Sequence, residues 1–438
     1  MTPPATAQKA ERLARWAPAT FLLAALLPEY AAPFLTLIGF ICVLKARIAA
    51  HARPRFGALG ATILIYLGWM TVGLLYSPAK LSALVSIGIW LLMLGGYYFF
   101  TETVDSAARV QTVIACGSLC GGVAGAIGIG QMFLFHFAPP PLNTAFNPFW
   151  KFLNRLAEKA VHILPQFVTS RMAAKTFYSF NTRACSTMTN PLFFAAIALI
   201  LLPFAAHLFL CAPARRTRVF GLVCFLLCGG GVASSYSRGP YLYTAAVCAV
   251  LLLYGGKRVL KLVGVGAAAA CGAAVIAGGT VKRLLTLLTN GDTDVSILTR
   301  KQLWRSVADL IRHKPFFGHG TGFDTVRQQL HNVYHVPQPH AHNIFLQAWA
   351  ENGVIGALLL AAIFVVFFVQ AIRLLRRGGV CREFAVTLLA SVTAFLLCGM
   401  TDCLFYGLKP LQYLMMVLGL AQAVFALKLP AGNREGDA

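Results

Sequence analysis

Apolar runs of about 17 to 25 residues recur from one end of this chain to the other, the length an α-helix needs to cross about 30 Å of hydrocarbon. They centre near residues 23, 38, 68, 91, 124, 201, 227, 247, 270, 362, 393 and 418. Of the 438 residues, 58% are hydrophobic and 12% charged, against about 25% charged in an ordinary soluble domain. A water-soluble core cannot absorb that excess. The expected fold class is an all-α polytopic membrane protein with about twelve transmembrane helices, the first two short and joined by a tight corner from Pro28 to Pro33. Lys9, Arg12 and Arg15 precede the first run, which lacks a small-residue cleavage pattern and so reads as a membrane helix rather than a removed signal.

Lys and Arg accumulate in cytoplasmic loops. With an even number of spans and the N-terminus inside, the inner loops hold Lys45, Arg47, Arg53 and Arg55, then Arg109, then Arg215, Arg216 and Arg218, then Lys257, Arg258 and Lys261, then Arg373, Arg376, Arg377 and Arg382. The short outer loops hold little: Glu29, Lys80, Arg238, and Asp402 with Lys409. The expected organisation is residues 1–137 with helices 1 to 5, an outer segment 138–190, helices 6 to 9 over 191–278, a large outer segment 279–341, and 342–438 with helices 10 to 12 and an inner tail.

Both long outer segments are basic: Lys151, Arg155, Lys159, Arg171, Lys175 and Arg183 against Glu158 in the first, eight Lys or Arg against four Asp in the second. With a net charge of +23 placed between apolar spans, lipid phosphate and pyrophosphate are the expected anionic partners, not nucleic acid. Residues 149–164 place Phe152, Leu156, Ala160 and Leu164 on one helical face, which suits a helix lying at the membrane interface or one packed on the protein's own outer surface. The twelve Cys are scattered; Cys116 and Cys120, and Cys224 and Cys228, lie four apart within apolar runs and read as small packing residues. There is no Walker-type loop.

The chemistry concentrates where the second long segment re-enters the membrane. There Pro339-His-Ala-His-Asn343 leads into an apolar helix with Gly353-x-x-Gly356. A titratable imidazole at the top of a helix can accept a proton in a partly dehydrated site, and small residues below it allow close packing. His-Asn, nine residues, then Gly-x-x-Gly resembles the signature of the O-antigen ligases, in the superfamily shared with O-antigen polymerases and protein O-oligosaccharyltransferases. The likeness extends to Arg183 followed by Asn190-Pro191, to Ser237-Arg238-Gly239, and to Arg300-Lys-Gln-Leu-Trp304 running on to Pro315, Gly318 and Gly320, and so covers roughly residues 180 to 360. Members often carry Thr after the second glycine, where this chain has Ala357.

The resemblance implies a GT-C-like membrane glycosyltransferase of the bacterial inner membrane, with both termini cytoplasmic and the site facing the periplasm. It would move O-antigen polysaccharide from undecaprenyl pyrophosphate to a sugar hydroxyl of lipid A-core, in lipopolysaccharide biosynthesis. A pyrophosphate leaving group needs fixed positive charge, and Arg offers planar, permanently protonated donors. Arg183, Arg238 and Arg300, with Asn343, are the candidate phosphate-binding residues. His342 is the candidate general base, with His340 two residues away as its rival. Direct attack would invert the anomeric centre without a metal, a cofactor or a covalent intermediate.

A histidine near a helix start often only caps, an interfacial arginine often only snorkels, and Asn190-Pro191 reads as a helix start. Asp292-Thr-Asp294 has a metal-binding pattern but follows a turn signal, and His335, His340 and His342 could ligate zinc if they converged. A polymerase would use a second carrier-linked chain as acceptor; no Arg in the two long segments has Gly at the Arg-x10-Gly spacing that polymerases often show. A protein oligosaccharyltransferase would use a Ser-bearing protein. A flippase or secondary transporter would need charge near the bilayer midplane, where this sequence has almost none.

Overall fold

The computed structural model describes residues 16–27, 32–51, 54–137, 183–188, 190–277 and 295–429. The expected interfacial helix over 149–164, the basic residues 9, 12 and 15, and the Asp292-x-Asp294 pattern lie outside them.

Among the described residues the chain is all helix. Five helices form the first group: α1 (Ala17–Leu26), α2 (Ala32–Ala49), α3 (Gly57–Tyr76), α4 (Lys80–Thr103) and α5 (Ala107–Phe137). Four follow: α6 (Pro191–Cys211), α7 (Arg215–Ser234), α8 (Arg238–Leu251) and α9 (Lys257–Ala277). Two amphipathic helices, α10 (Val295–His313) and α11 (Phe323–Asn332), precede the last three, α12 (Ile344–Leu375), α13 (Gly379–Gly399) and α14 (Leu408–Ala426). All twelve expected centres fall inside helices, and eight of these are long and apolar enough to cross a membrane, while α1 and α8 are shorter. The chain is a multi-pass, all-α membrane protein.

Helix α6 is apolar all round and lies inside the bundle, with residues 194 to 206 all buried. It packs against α5, α7 and α13, while the buried α14 packs against α4. Lipid gives helices no hydrophobic reason to associate, so close approach of backbones matters. On α5, a side chain at Gly121 would meet Cys228 and Leu201, and one at Gly125 the backbone of Leu227. Cys228 is fully buried in that contact; the cysteines here pack, and the eleven described ones are free thiols.

Successive helices run alternately between two ends. At one end Ser77 Oγ donates to Thr321 O at 2.9 Å, joining the α3–α4 corner to the segment before α11. At the other, Arg47 pairs with Glu102, and Arg382 Nε donates to Leu253 O at 3.0 Å. The expected inner-loop arginines and lysines that the structure describes all lie at this second end, and the residues carrying the resemblance at the first.

Candidate active site

Helix α12 is two helices. At Gly353 the backbone turns to φ 68°, ψ −176°, a conformation that glycine tolerates and other residues resist. Here the structure corrects the sequence reading that both glycines admit a neighbouring helix. A Cβ at Gly353 would collide with the carbonyl of Phe316, so it is the connection between α10 and α11 that sits on the break; only Gly356 faces another helix, against Trp69 of α3. Residues 354–375 then make a span of about 33 Å at 1.5 Å per residue, and residues 344–352 form a separate helical segment at the site end.

That segment begins at the histidines. The side-chain oxygen of Asn343 accepts from Phe345 N at 2.9 Å and Leu346 N at 3.0 Å, the standard way to satisfy a helix's first amides. Its Nδ2 donates to Met400 O at 3.2 Å, which pins the start of α12 to the connection between α13 and α14. His342 precedes it at φ 50°. Non-glycine residues avoid this region, and those held in it cluster at working sites. Ser186 and Tyr236, at φ 51° and 48°, share it, as do His335 and, away from the site, His51.

His342 Nδ1 lies 3.0 Å from Asp402 Oδ1. His340 Nε2 is 3.7 Å from the same oxygen, and the two rings meet edge to face at 4.2 Å. Burial pushes the Asp402 carboxyl upward, but the hydrogen bond from His342, the charges of His340 and His342 and the Cys403 amide outweigh it and hold the group below its usual range. An ionised Asp402 accepting from Nδ1–H leaves the lone pair of His342 on Nε2, the tautomer a general base needs. The His342 side chain is 27% exposed and that of His340 13%, so His342 is the more accessible ring.

The arginines gather at the same end. Arg183 Nε donates to Ser235 O at 3.0 Å and its Nη2 to Ser237 Oγ at 2.7 Å, so Arg183 is docked on the turn that carries Arg238. Ser237 is the N-cap residue of α8 and Arg238 its first residue. One turn on, Tyr243 OH donates to Thr401 Oγ1 at 2.9 Å, beside Asp402. Arg300 is close enough to Tyr243 to act on it electrostatically, and Trp304, on the same face of α10 one turn later, donates from Nε1 to Ala341 O at 2.9 Å, between the two histidines. Asn190 caps α6 by accepting from Leu192 N at 2.9 Å.

Two buried carboxylates at this end belong to no motif in the sequence: Asp402, which stood there only as a loop charge, and Glu351. Glu351 is buried; it accepts from Gln347 Nε2 at 2.6 Å, from Gly322 N at 3.3 Å and from Tyr406 OH. With Tyr66, Trp90, Phe405 and Tyr406 it lines a small, partly open cavity of about 50 Å³. A carboxylate in a chain with only 14 acidic residues was the available signal.

Two groups of ligating side chains converge among the described residues, each with donor atoms within 4.8 Å of one another: His340, His342 and Asp402 here, and His207, Cys211 and Glu383 at the opposite end. Of the three histidines weighed as zinc ligands, His335 lies outside the converging group, whose third member is Asp402.

Comparison with curated proteins finds no match. Residues 222–361 match the family model described as O-Antigen ligase. The match runs from α7 to the membrane part of α12 and takes in Arg238, Arg300, His342 and Glu351, while Arg183 and Asp402 lie outside it in sequence and beside it in space. Through that segment, about a third of its length, the chain is similar to the O-antigen ligase family.

Proposed function

We propose that this protein is an O-antigen ligase of the bacterial inner membrane, transferring polysaccharide from undecaprenyl pyrophosphate to a sugar hydroxyl of lipid A-core at the periplasmic face. The observation that carries the proposal is the 3.0 Å contact between His342 Nδ1 and Asp402, at the same end of the bundle as the Arg183–Ser237 contact. His342 Nε2 takes the acceptor hydroxyl proton as the oxygen attacks the anomeric carbon. Arg183, Arg238 and Arg300 hold the pyrophosphate and stabilise the charge that grows on it as the glycosidic bond breaks. One displacement inverts the anomeric centre, and neither a metal nor a sugar–enzyme intermediate takes part. Asn343 serves the site by capping α12 and so holding His342 in place.

The test is reconstitution of the purified protein in proteoliposomes with carrier-linked polysaccharide and lipid A-core, in excess chelator. Transfer should persist, and His342→Ala should lower it by about 10²–10⁴-fold, the usual contribution of a positioned base, while the protein inserts normally. Transfer only onto a second carrier-linked chain would make it a polymerase; loss of transfer in chelator would convert the His340, His342 and Asp402 cluster into a metal site.

A further inference from the structure

The short connection between α13 and α14, residues 400–407, and the first turn of α14 contain one anion and one cation, Asp402 and Lys409. Both are buried, Asp402 at 4% and Lys409 at 0% exposure. Asp402 holds His342. Lys409 reaches the other way: its Nζ donates to Thr187 O at 2.9 Å, to Thr187 Oγ1 at 3.2 Å and to Ala25 O at 3.2 Å. Ala25 lies in the last turn of α1, where helix carbonyls lack partners inside the helix and the dipole favours a cation. Thr187 Oγ1 donates to the same Ala25 carbonyl.

Thr187 belongs to the segment that carries Arg183. That segment is fixed at its middle by Ser186, whose amide donates to Gln131 Oε1 at 2.7 Å and whose hydroxyl donates to Ala124 O at 2.7 Å. At its start, Ala184 N donates to Ser234 O at 3.0 Å. Lys409 fixes its far side. Burying an ammonium is costly unless its donors are satisfied, and here the acceptors are backbone and hydroxyl oxygens of two separate elements, so the charge ties those elements to α14.

We infer that Lys409 is a positioning residue for Arg183, and that residues 402–409 set the distance between the proton acceptor and the arginine that holds the donor phosphate. The inference rests on the proposed role of Arg183. Its test is a double-mutant cycle on donor saturation in proteoliposomes, with rates expressed per molecule of protein that elutes as a single folded species. Lys409→Met should raise the donor concentration for half-maximal rate by about tenfold, with the rate at saturating donor within about twofold of the parent. In an Arg183→Ala background Lys409→Met should add nothing. Equal fold-changes in both backgrounds, or a loss confined to the saturated rate, would overturn the inference. If Arg183→Ala alone leaves donor saturation unchanged, it is the role of Arg183 that fails. Should Lys409→Met give no folded protein, Thr187→Val, which removes one acceptor of the ammonium, takes its place with the same pattern expected at smaller amplitude.

Discussion

At the scale of single residues, the site depends on which imidazole is oriented. His342 and His340 both approach Asp402, but the shorter contact and the greater exposure belong to His342. Asp402→Asn would replace an acceptor of the Nδ1 proton by an amide that can turn its NH₂ toward the ring and favour the wrong tautomer; in the serine-protease template that exchange costs about 10⁴-fold. The expected outcome here is a loss of at least about a hundredfold in transfer rate, with donor saturation little changed, whereas His340→Ala should lose about tenfold or less. Stability supplies a second readout. Because Asp402 is held below the usual carboxylate range, its ionised form contributes stability that is present above that range and lost as pH falls through the lowered value. The melting-temperature advantage of the parent over Asp402→Asn should therefore shrink on acidification, and an advantage that grows would contradict the assignment. His342, Arg183, Arg238 and Arg300 were all legible in the sequence as motif members. Asp402 was not, because a lone carboxylate in a short turn shows no spacing that links it to a histidine 60 residues earlier. The left-handed backbone at Ser186, Tyr236 and His342 was equally hidden, since none of the three is a glycine.

At the scale of elements, helix positions follow from apolar run length alone, since in lipid the only open structure that satisfies every backbone amide is a helix. That is why every expected centre falls in a helix. What run length conceals is a break that costs no hydrophobicity. The sequence from Ile344 to Leu375 reads as one continuous run, yet Gly353 divides it, and Pro315 O accepts from Val354 N at 2.9 Å across the division. His319 N and Gly320 N donate to Ala350 O and Glu351 O at 2.9 and 2.8 Å just before it, so the α10–α11 connection replaces helical hydrogen bonds that the break gives up. Gly353→Ala should then be destabilising beyond the 1–2 kcal/mol or so that a left-handed alanine costs, because the Phe316 carbonyl occupies the space of the new methyl. The expected result is a lower melting temperature in detergent and a loss of transfer, with Gly68→Ala, whose new methyl meets no neighbouring atom, the milder change. Equal effects of the two would show that the break carries no special role.

At the scale of the whole molecule, charge and chemistry are sorted to opposite ends. Arg47, Arg55, Arg109, the Arg215–Arg218 group, Lys257, Arg258 and the Arg373–Arg382 group lie at one end of alternating helices, and His342, Asp402, Arg183 and Arg238 at the other. Short loops rich in Lys and Arg resist translocation, so the proposed reaction expects the basic end on the cytoplasmic side. A substrate on a polyprenyl pyrophosphate would then meet the arginines only from the far side of the membrane, which the proposed reaction requires. Reporter fusions test this directly. A green fluorescent protein joined after Leu429 should fluoresce, and alkaline phosphatase joined after Thr401 or after Ser235 should be active, with the converse fusions silent. Fluorescence from a reporter at the α13–α14 connection would put the His342–Asp402 pair on the cytoplasmic side and leave the geometry of the site intact while removing the reaction assigned to it.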